Sequence, residues 1–186
     1  KPEPIPLDMK IIMIGEPWIY SMLSTMDTDF KKLFKIKAEF DWEMRLDGDT
    51  VGKLCRLICS IARDNSLMDF DRDAVREVIK KAIILSGNRK KVSTQFGALK
   101  QLLLESSAVV EINGGEMVSA EDVSRAWEEM KTRVSLYQDK VKEMFADSTL
   151  LVQTEGELIG EINGLTVVQT EDLSFGIPVK ITAKAG

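Results

Sequence analysis

The rhythm of apolar and polar positions changes twice along this chain. It opens with Leu7-Asp-Met-Lys-Ile-Ile-Met-Ile-Gly15, an almost unbroken apolar run that ends in glycine. A run of that length predicts a strand buried on both faces, as in a parallel sheet. Pro17 suits the first turn of a short helix through Met22 and Leu23. A second short helix is expected from Asp29 to Leu33 and a further strand from Lys35 to Phe40, with Phe40-Asp-Trp-Glu-Met44 as the exit from that layer.

From Asp49 the apolar residues recur at helical spacing for about a hundred residues, the mark of an all-helical unit. Asp49 or Thr50 is expected to cap a helix that turns Val51, Leu54, Cys55, Ile58, Ile61 and Ala62 to one face. Asp71 opens a second helix with Ala74, Val75, Val78, Ile79 and Ala82 inward, and Gly87 suits the left-handed position after its end. A third runs from about Thr94 to Val110. After the Asn113-Gly114-Gly115 turn, Ser119 and Asp122 have the spacing of a capping box for one long helix to about Ala146.

Beyond Thr149 the pattern becomes strand-like. In Leu158-Ile-Gly-Glu-Ile-Asn-Gly-Leu-Thr-Val-Val168, β-branched residues alternate with Gly and polar residues, which predicts strands joined by a turn at Asn163-Gly164. A second strand is expected from Ile177 to Ala183. Two or three strands bury too little apolar surface to stand alone, and a single parallel strand needs a sheet beside it. The expectation is therefore a piece of a longer protein, mainly α with a minor α/β part.

Composition narrows the chemistry. With 44% hydrophobic and 30% charged residues, the chain reads as globular rather than disordered. A net charge of -5 argues against general polyanion binding. No apolar window approaches the length of a membrane span and the start lacks a signal-peptide layout, so a cytoplasmic location is expected. The chain has no histidine, which removes Ser-His-Asp and Cys-His nucleophile systems and His-ligated metal centres from these residues.

Candidate motifs are few. Cys55 and Cys59, four apart on a predicted helix, could form half a metal site, but Leu54, Leu57, Ile58 and Ile61 beside them favour core packing. Gly48-Asp-Thr-Val-Gly-Lys53 has one spacer too few for a phosphate-binding loop and no hydroxyl after its lysine, so it reads as an ordinary helix start. Ser174 in Asp172-Leu-Ser-Phe-Gly176 lacks the first glycine of a nucleophile elbow. The cluster Lys80, Lys81, Arg89, Lys90 and Lys91 could meet phosphate or nucleic acid, although without interleaved aromatics a solvated face is favoured. Trp127, Met130, Val134, Tyr137, Val141 and Met144 form a stripe at spacings of three and four, which suits helix packing first and a partner groove second.

The wording of the tail is distinctive. Ile159-Gly-Glu-Ile-Asn-Gly-Leu-Thr-Val167 followed by Phe175-Gly-Ile-Pro-Val-Lys-Ile-Thr-Ala183 resembles the opening of the proteolytic domain of Lon-type proteases. The resemblance extends back through Val118-Ser-Ala-Glu-Asp-Val123, Val92-Ser-Thr-Gln-Phe-Gly-Ala-Leu99, Leu85-Ser-Gly-Asn88, Phe70-Asp-Arg-Asp-Ala-Val75, Phe40-Asp-Trp-Glu-Met44, Asp27-Thr-Asp-Phe30 and Pro6-Leu-Asp-Met-Lys-Ile-Ile-Met-Ile-Gly15. Their joint order looks closest to the branch that lacks the long N-terminal substrate-binding domain. It implies the C-terminal part of an AAA+ large α/β subdomain at 1–46, a four-helix lid at 47–147 and the first strands of a protease domain at 148–186.

The same resemblance implies that the parent is an ATP-dependent serine protease that binds ATP and Mg²⁺, assembles as a homo-oligomeric ring and degrades unfolded or damaged proteins. Its Ser-Lys dyad and phosphate-binding loop would lie outside these residues, leaving no catalytic residue and no metal ligand among them. Three positions would face nucleotide. Glu16 stands where relatives place a polar residue, usually Asn, that senses the γ-phosphate; Lys31 falls near an arginine finger; Gln95 falls where many relatives have a lid arginine. Neither Lys nor Gln reproduces the bidentate fork of a guanidinium. Each also has a plainer role open to it: Glu16 as a cap for the helix at Pro17, Lys31 as a solvated residue, Gln95 as a first-turn polar residue.

In the Lon reading, Trp127, Met130, Val134 and Tyr137 would lie on the last lid helix and couple lid motion to the protease domain. Two readings from other classes stay open: a non-proteolytic AAA+ module or degenerate ring acting as an adaptor, and a helical binding module whose Met-rich stripe holds a peptide. The strand-rich tail speaks against the first, and the apolar run from Lys10 to Ile14 against the second.

Overall fold

The computed structural model describes residues 9–153, 155–169 and 174–183, which divide into two compact units, Lys1–Asp41 and Trp42–Gly186. The first unit holds α1 (Pro17–Met26) and α2 (Phe30–Leu33). Pro17 takes the first turn of α1, where its missing N–H costs nothing. The Asp27 carboxylate then accepts from the backbone N–H groups of Asp29 at 2.8 Å and Phe30 at 3.3 Å, turning the chain into α2. Phe30 is the buried anchor here, edge-on to Tyr20 with centroids 5.6 Å apart and 5.1 Å from the ring of Phe34.

The buried strand expected over the first apolar run is not formed. Ile12 and Ile14 are 86% and 97% exposed, and residues 9–15 carry no regular element. Leu7 and Asp8, which open that run, lie outside the described residues. Lys35 to Phe40 likewise forms no strand, with Ile36 and Phe40 exposed. An apolar run becomes a strand only when its backbone groups pair, and no described residue pairs with either run.

The second unit carries the rest: β1 (Glu43–Arg45), α3 (Gly48–Asp64), β2 (Asp69–Phe70), α4 (Arg72–Ser86), β3 (Lys91–Ser93), α5 (Phe96–Ile112), β4 (Met117–Val118), α6 (Ala120–Arg133), α7 (Leu136–Ala146), β5 (Glu161–Gln169) and β6 (Ser174–Thr182). Helices dominate. Two short sheets clip their ends together: β1 pairs antiparallel with β3, and β2 pairs parallel with β4 through Asp69–Met117 and Phe70–Val118. The core lies among α3 to α6. Leu54 and Ile58, then Ala74, Val78 and Ala82, then Leu99, Leu102, Leu103 and Val110, then Val123, Ala126 and Trp127 form one cluster, closed by Val92 and Val118 from the short strands.

Local chemistry sets the helix ends. Asp47, rather than Asp49 or Thr50, caps α3, its carboxylate accepting from the Thr50 N–H at 2.9 Å. That bond is the main reason its carboxyl is held below its ordinary value. Asp71 caps α4 through Ala74, and Gly87 ends it in the left-handed region at φ 65°. The Ser119–Asp122 capping box is formed in full. The third helix begins at Phe96, two residues later than Thr94.

Two expectations over the C-terminal part are corrected. The long helix from Ser119 is two, broken at Val134 and Ser135. There the Val134 and Ser135 N–H groups reach back only three residues, to Lys131 and Thr132, and the Ser135 hydroxyl bonds both the Thr132 carbonyl at 2.9 Å and the Asp139 carboxylate at 2.7 Å. A serine with both partners in reach offers the backbone an alternative to continuing the helix. Asn163 and Gly164 do not make a turn either; they lie inside β5, opposite Lys180 and Val179 of β6. A side chain at Gly164 would meet the Ile181 Cδ1 at 2.8 Å, so this glycine serves close cross-strand packing.

Candidate functional site

Glu16 precedes Pro17 in extended backbone (φ -69°, ψ 146°) and is exposed. Its carbonyl accepts from Ile19 and Tyr20, but its carboxylate makes no capping bond, so the plainer role of a side-chain cap is not the one it plays. Lys31 sits exposed on α2. Its neighbour Lys32 is held by Asp29 at 2.7 Å, whereas no described carboxylate pairs with Lys31. Both residues belong to the first unit.

Gln95 belongs to the second unit, at the N-cap of α5. Its N–H donates to the Ser93 hydroxyl at 3.1 Å, and Ser93 is buried at the end of β3. The Gln95 side chain is exposed and makes no capping bond, leaving a free amide at the start of a 17-residue helix whose Phe96 and Ala98 N–H groups donate to the Thr94 and Gln95 carbonyls. An ammonium, an amide and a helix start are donors suited to phosphate oxygens. The described residues hold no phosphate cradle to go with them: Gly48 to Lys53 are helical, the first residues of α3, and Lys53 pairs with Asp49 at 2.6 Å. Among the described residues there is also no group of three or more metal-ligating side chains.

The remaining candidates sort by partner. Of the basic cluster, Lys80 and Lys81 both engage Glu77, at 2.8 and 3.0 Å, and Lys91 pairs with Glu43, while Arg89 and Lys90 are solvated. The Lys80 hydrogen bond, aided by Lys81, holds Glu77 below its ordinary value against the opposing effect of burial. Cys55 and Cys59 are not core residues. Leu54 and Ile58 take the inward positions, which rotates Cys55 to the half-buried flank and Cys59 to solvent.

The stripe divides at the helix break. Trp127 is buried in the core and Met130 packs against it, whereas Val134 is exposed at the break and Tyr137 stands on α7. Tyr137 meets Phe175 of β6 edge to face, with centroids 5.7 Å apart, so it is the described ring contact between the helical body and the tail hairpin. The role of Lys81 was not legible from the sequence. It is buried and lies over the Trp127 ring, and the one local signal was Glu77 four residues earlier.

The family model for the archaeal LonB AAA+ ATPase lid domain matches residues 69–133, covering β2 through α6. A second model, the LonB-like AAA domain, matches residues 1–41, the same span as the first compact unit. Together they take in more than half of the chain. It belongs to the Lon-type AAA+ family.

Relatives of this Lon-type chain agree. It is 25% identical over 183 residues to a Lon protease homolog of Escherichia coli (strain K12), a span covering 96% of this chain and 30% of that protein. It is 31% identical over 133 residues to the archaeal Lon protease of Archaeoglobus fulgidus, covering 71% of this chain and 21% of the relative. The archaeal Lon protease of Thermoplasma volcanium is 25% identical over 173 residues, 89% of this chain and 25% of its own length. The chain thus spans less than a third of these relatives. Among the described residues no helix is long and apolar enough to cross a membrane.

Proposed function

We propose that this chain is the nucleotide lid of an ATP-dependent Lon-type serine protease, together with the end of the ATPase large subdomain at 1–46 and the first strands of the protease domain at 148–186, the lid itself being 47–147. The observation that carries this reading is the coincidence of the lid-family match over 69–133 with a single packed core built from α4, α5 and α6 on α3. Glu16, Lys31 and Gln95 are proposed to face nucleotide in the assembled ring. Their support is that all three side chains are exposed and make no capping bond or ion pair among the described residues. ATP with Mg²⁺ would supply the driving force. Unfolded proteins would be the substrates, cut by a Ser-Lys dyad elsewhere in the full protein, and this chain alone would be inert and cytoplasmic.

Coupling between lid and protease is assigned to Tyr137 on α7, with Trp127 and Met130 anchoring α6 in the core and Val134 marking the joint. The test uses the full-length protein carrying this chain: degradation of an unfolded protein with and without ATP, with ATP turnover followed in the same samples. Degradation that requires ATP supports the proposal. ATP turnover without degradation would transfer it to a non-proteolytic AAA+ adaptor, a reading kept open by the lack of an arginine at positions 31 and 95.

A further inference from the structure

The outer face of α3 carries an arrangement that lid function does not use. Cys55 and Cys59 lie one turn apart, half-buried and exposed, with both thiols free. They line a shallow recess with Arg56, Leu57, Ser60 and Arg63. We propose that Cys55 and Cys59 form a two-coordinate site for a soft monovalent cation, Cu(I), on this helix.

Three physical arguments converge on that ligand. On a helix, side chains four residues apart have Cβ atoms about 5–6 Å apart. A disulfide needs about 3.5–4.5 Å between them, so direct S–S closure would force a turn of α3 to distort. A bridging ion with metal–sulfur bonds of about 2.3 Å, the length found for zinc thiolates, spans about 4.6 Å between sulfurs, which the undistorted helix permits through side-chain rotation. The spacing therefore favours a bridging ion over a bond.

Ligand number then selects the ion. Tetrahedral zinc wants four donors; the chain has no histidine, and no group of three or more metal-ligating side chains exists among the described residues. Cu(I) is satisfied by two thiolates in a line, and thiolate softness selects it over harder cations. Charge agrees as well. Two thiols and one Cu(I) give an anionic bis-thiolate complex and two released protons, and Arg56 and Arg63 place guanidinium groups in the same recess to offset that negative charge. Arg56 makes no ion pair among the described residues, and the only ion pair of Arg63 is a long one, 3.6 Å, with its exposed neighbour Asp64.

The experiment titrates Cu(I) under anaerobic, reducing conditions against a chromophoric Cu(I) chelator. The samples are the full-length protein and its Cys55→Ser, Cys59→Ser and double variants, with far-UV circular dichroism confirming that each is folded. One Cu(I) per chain should be withheld from the chelator by the wild type. Either single substitution should weaken retention by about 100-fold or more, as removing half of a chelate does, and sulfur-only two-coordination should be seen by X-ray absorption. Arg56→Glu should weaken retention several-fold, and retention should strengthen as pH rises because protons are released. Equal retention by the double variant would overturn the site, as would single variants that bind as well as the wild type. The readout is independent of ATP turnover and proteolysis, so its failure would leave the proposed function standing.

Discussion

The Nζ of Lys81 lies over the ring of Trp127, 5.7 Å from its centroid, and both residues are more than nine-tenths buried. Lys131 approaches the same ring at 5.3 Å, and Glu77 closes an ion pair with Lys81 at 3.0 Å. The core of the helical body thus ends in a charged seam in which Lys81 is held by Glu77 and Lys131 by Glu128 at 3.2 Å, with the Trp127 indole between them. Removing the Glu77 carboxylate strands a buried ammonium. Glu77→Ala should therefore destabilise the domain by about 1–3 kcal/mol, read from the urea midpoint, and more than Lys80→Ala, whose ammonium is largely solvated.

The indole itself is core. Trp127→Ala should cost about 3–5 kcal/mol, with Trp127→Phe recovering more than half, because a phenyl ring keeps most of the buried volume and an aromatic face toward Lys81. Thermal unfolding of the pair checks this.

Acid should expose the same seam. Because the Lys80 hydrogen bond, helped by Lys81, depresses the folded-state value of Glu77, its contribution is fully present above the unfolded carboxylate value of 4.5. That contribution is lost as pH falls through the lower folded value. Stability measured from neutral pH downward should fall less steeply in Glu77→Gln than in the wild type; parallel curves would deny Glu77 this role.

Helix α6 depends on its capping box. The Ser119 hydroxyl accepts from the Asp122 N–H, and the Asp122 carboxylate accepts from the Ser119 N–H at 2.9 Å. Ser119→Ala should cost about 1 kcal/mol. In a double-mutant cycle with Asp122→Ala, the combined loss should be smaller than the sum of the two, since the Ser119 hydroxyl also donates to the Asp122 carboxylate at 2.6 Å and either single substitution removes that shared bond.

The tail hairpin offers a contrast between two glycines. Gly160 has φ 80°, and a Cβ there would stand 2.7 Å from the Ala183 carbonyl oxygen, whereas at Gly164 the closest atom is the mobile end of Ile181. Gly160→Ala should loosen the hairpin, seen as faster amide exchange along β5 and β6, and Gly164→Ala should loosen it much less.

How far these features were readable depends on the range of the interactions behind them. The caps at Asp71, Gly87 and Ser119 were legible because a cap is made within four residues, and so were the core positions Leu54, Ile58, Ala74, Val78, Ala82, Leu99, Leu102, Leu103 and Val110, because helical periodicity is local. Ile12 and Ile36 were misread because a strand is defined by a partner the run itself does not contain. Val134 and Tyr137 kept the apolar spacing across a break that the spacing does not register; the signal was Ser135 four residues before Asp139, after the basic end Lys131 and Arg133. Cys55 and Cys59 were assigned inward because they neighbour Leu54 and Ile58, yet a helix turns neighbours about a hundred degrees apart. That the side chains of Glu16 and Gln95 make no capping bond is a tertiary fact their positions in the sequence do not carry.

One mechanical consequence follows from the break at Val134 and Ser135. An uninterrupted helix is a rod that conveys rotation as well as pull, because each turn is latched to the next by bonds four residues long. Here the latches across the joint shorten to three residues, and the register on the far side is reset by Ser135, whose carbonyl starts α7 by accepting from Asp139 at 2.9 Å. The joint behaves as a knuckle. A bend there would leave the four-residue bonds inside α6 and α7 intact, and Tyr137, two residues past the joint, touches β6 through Phe175.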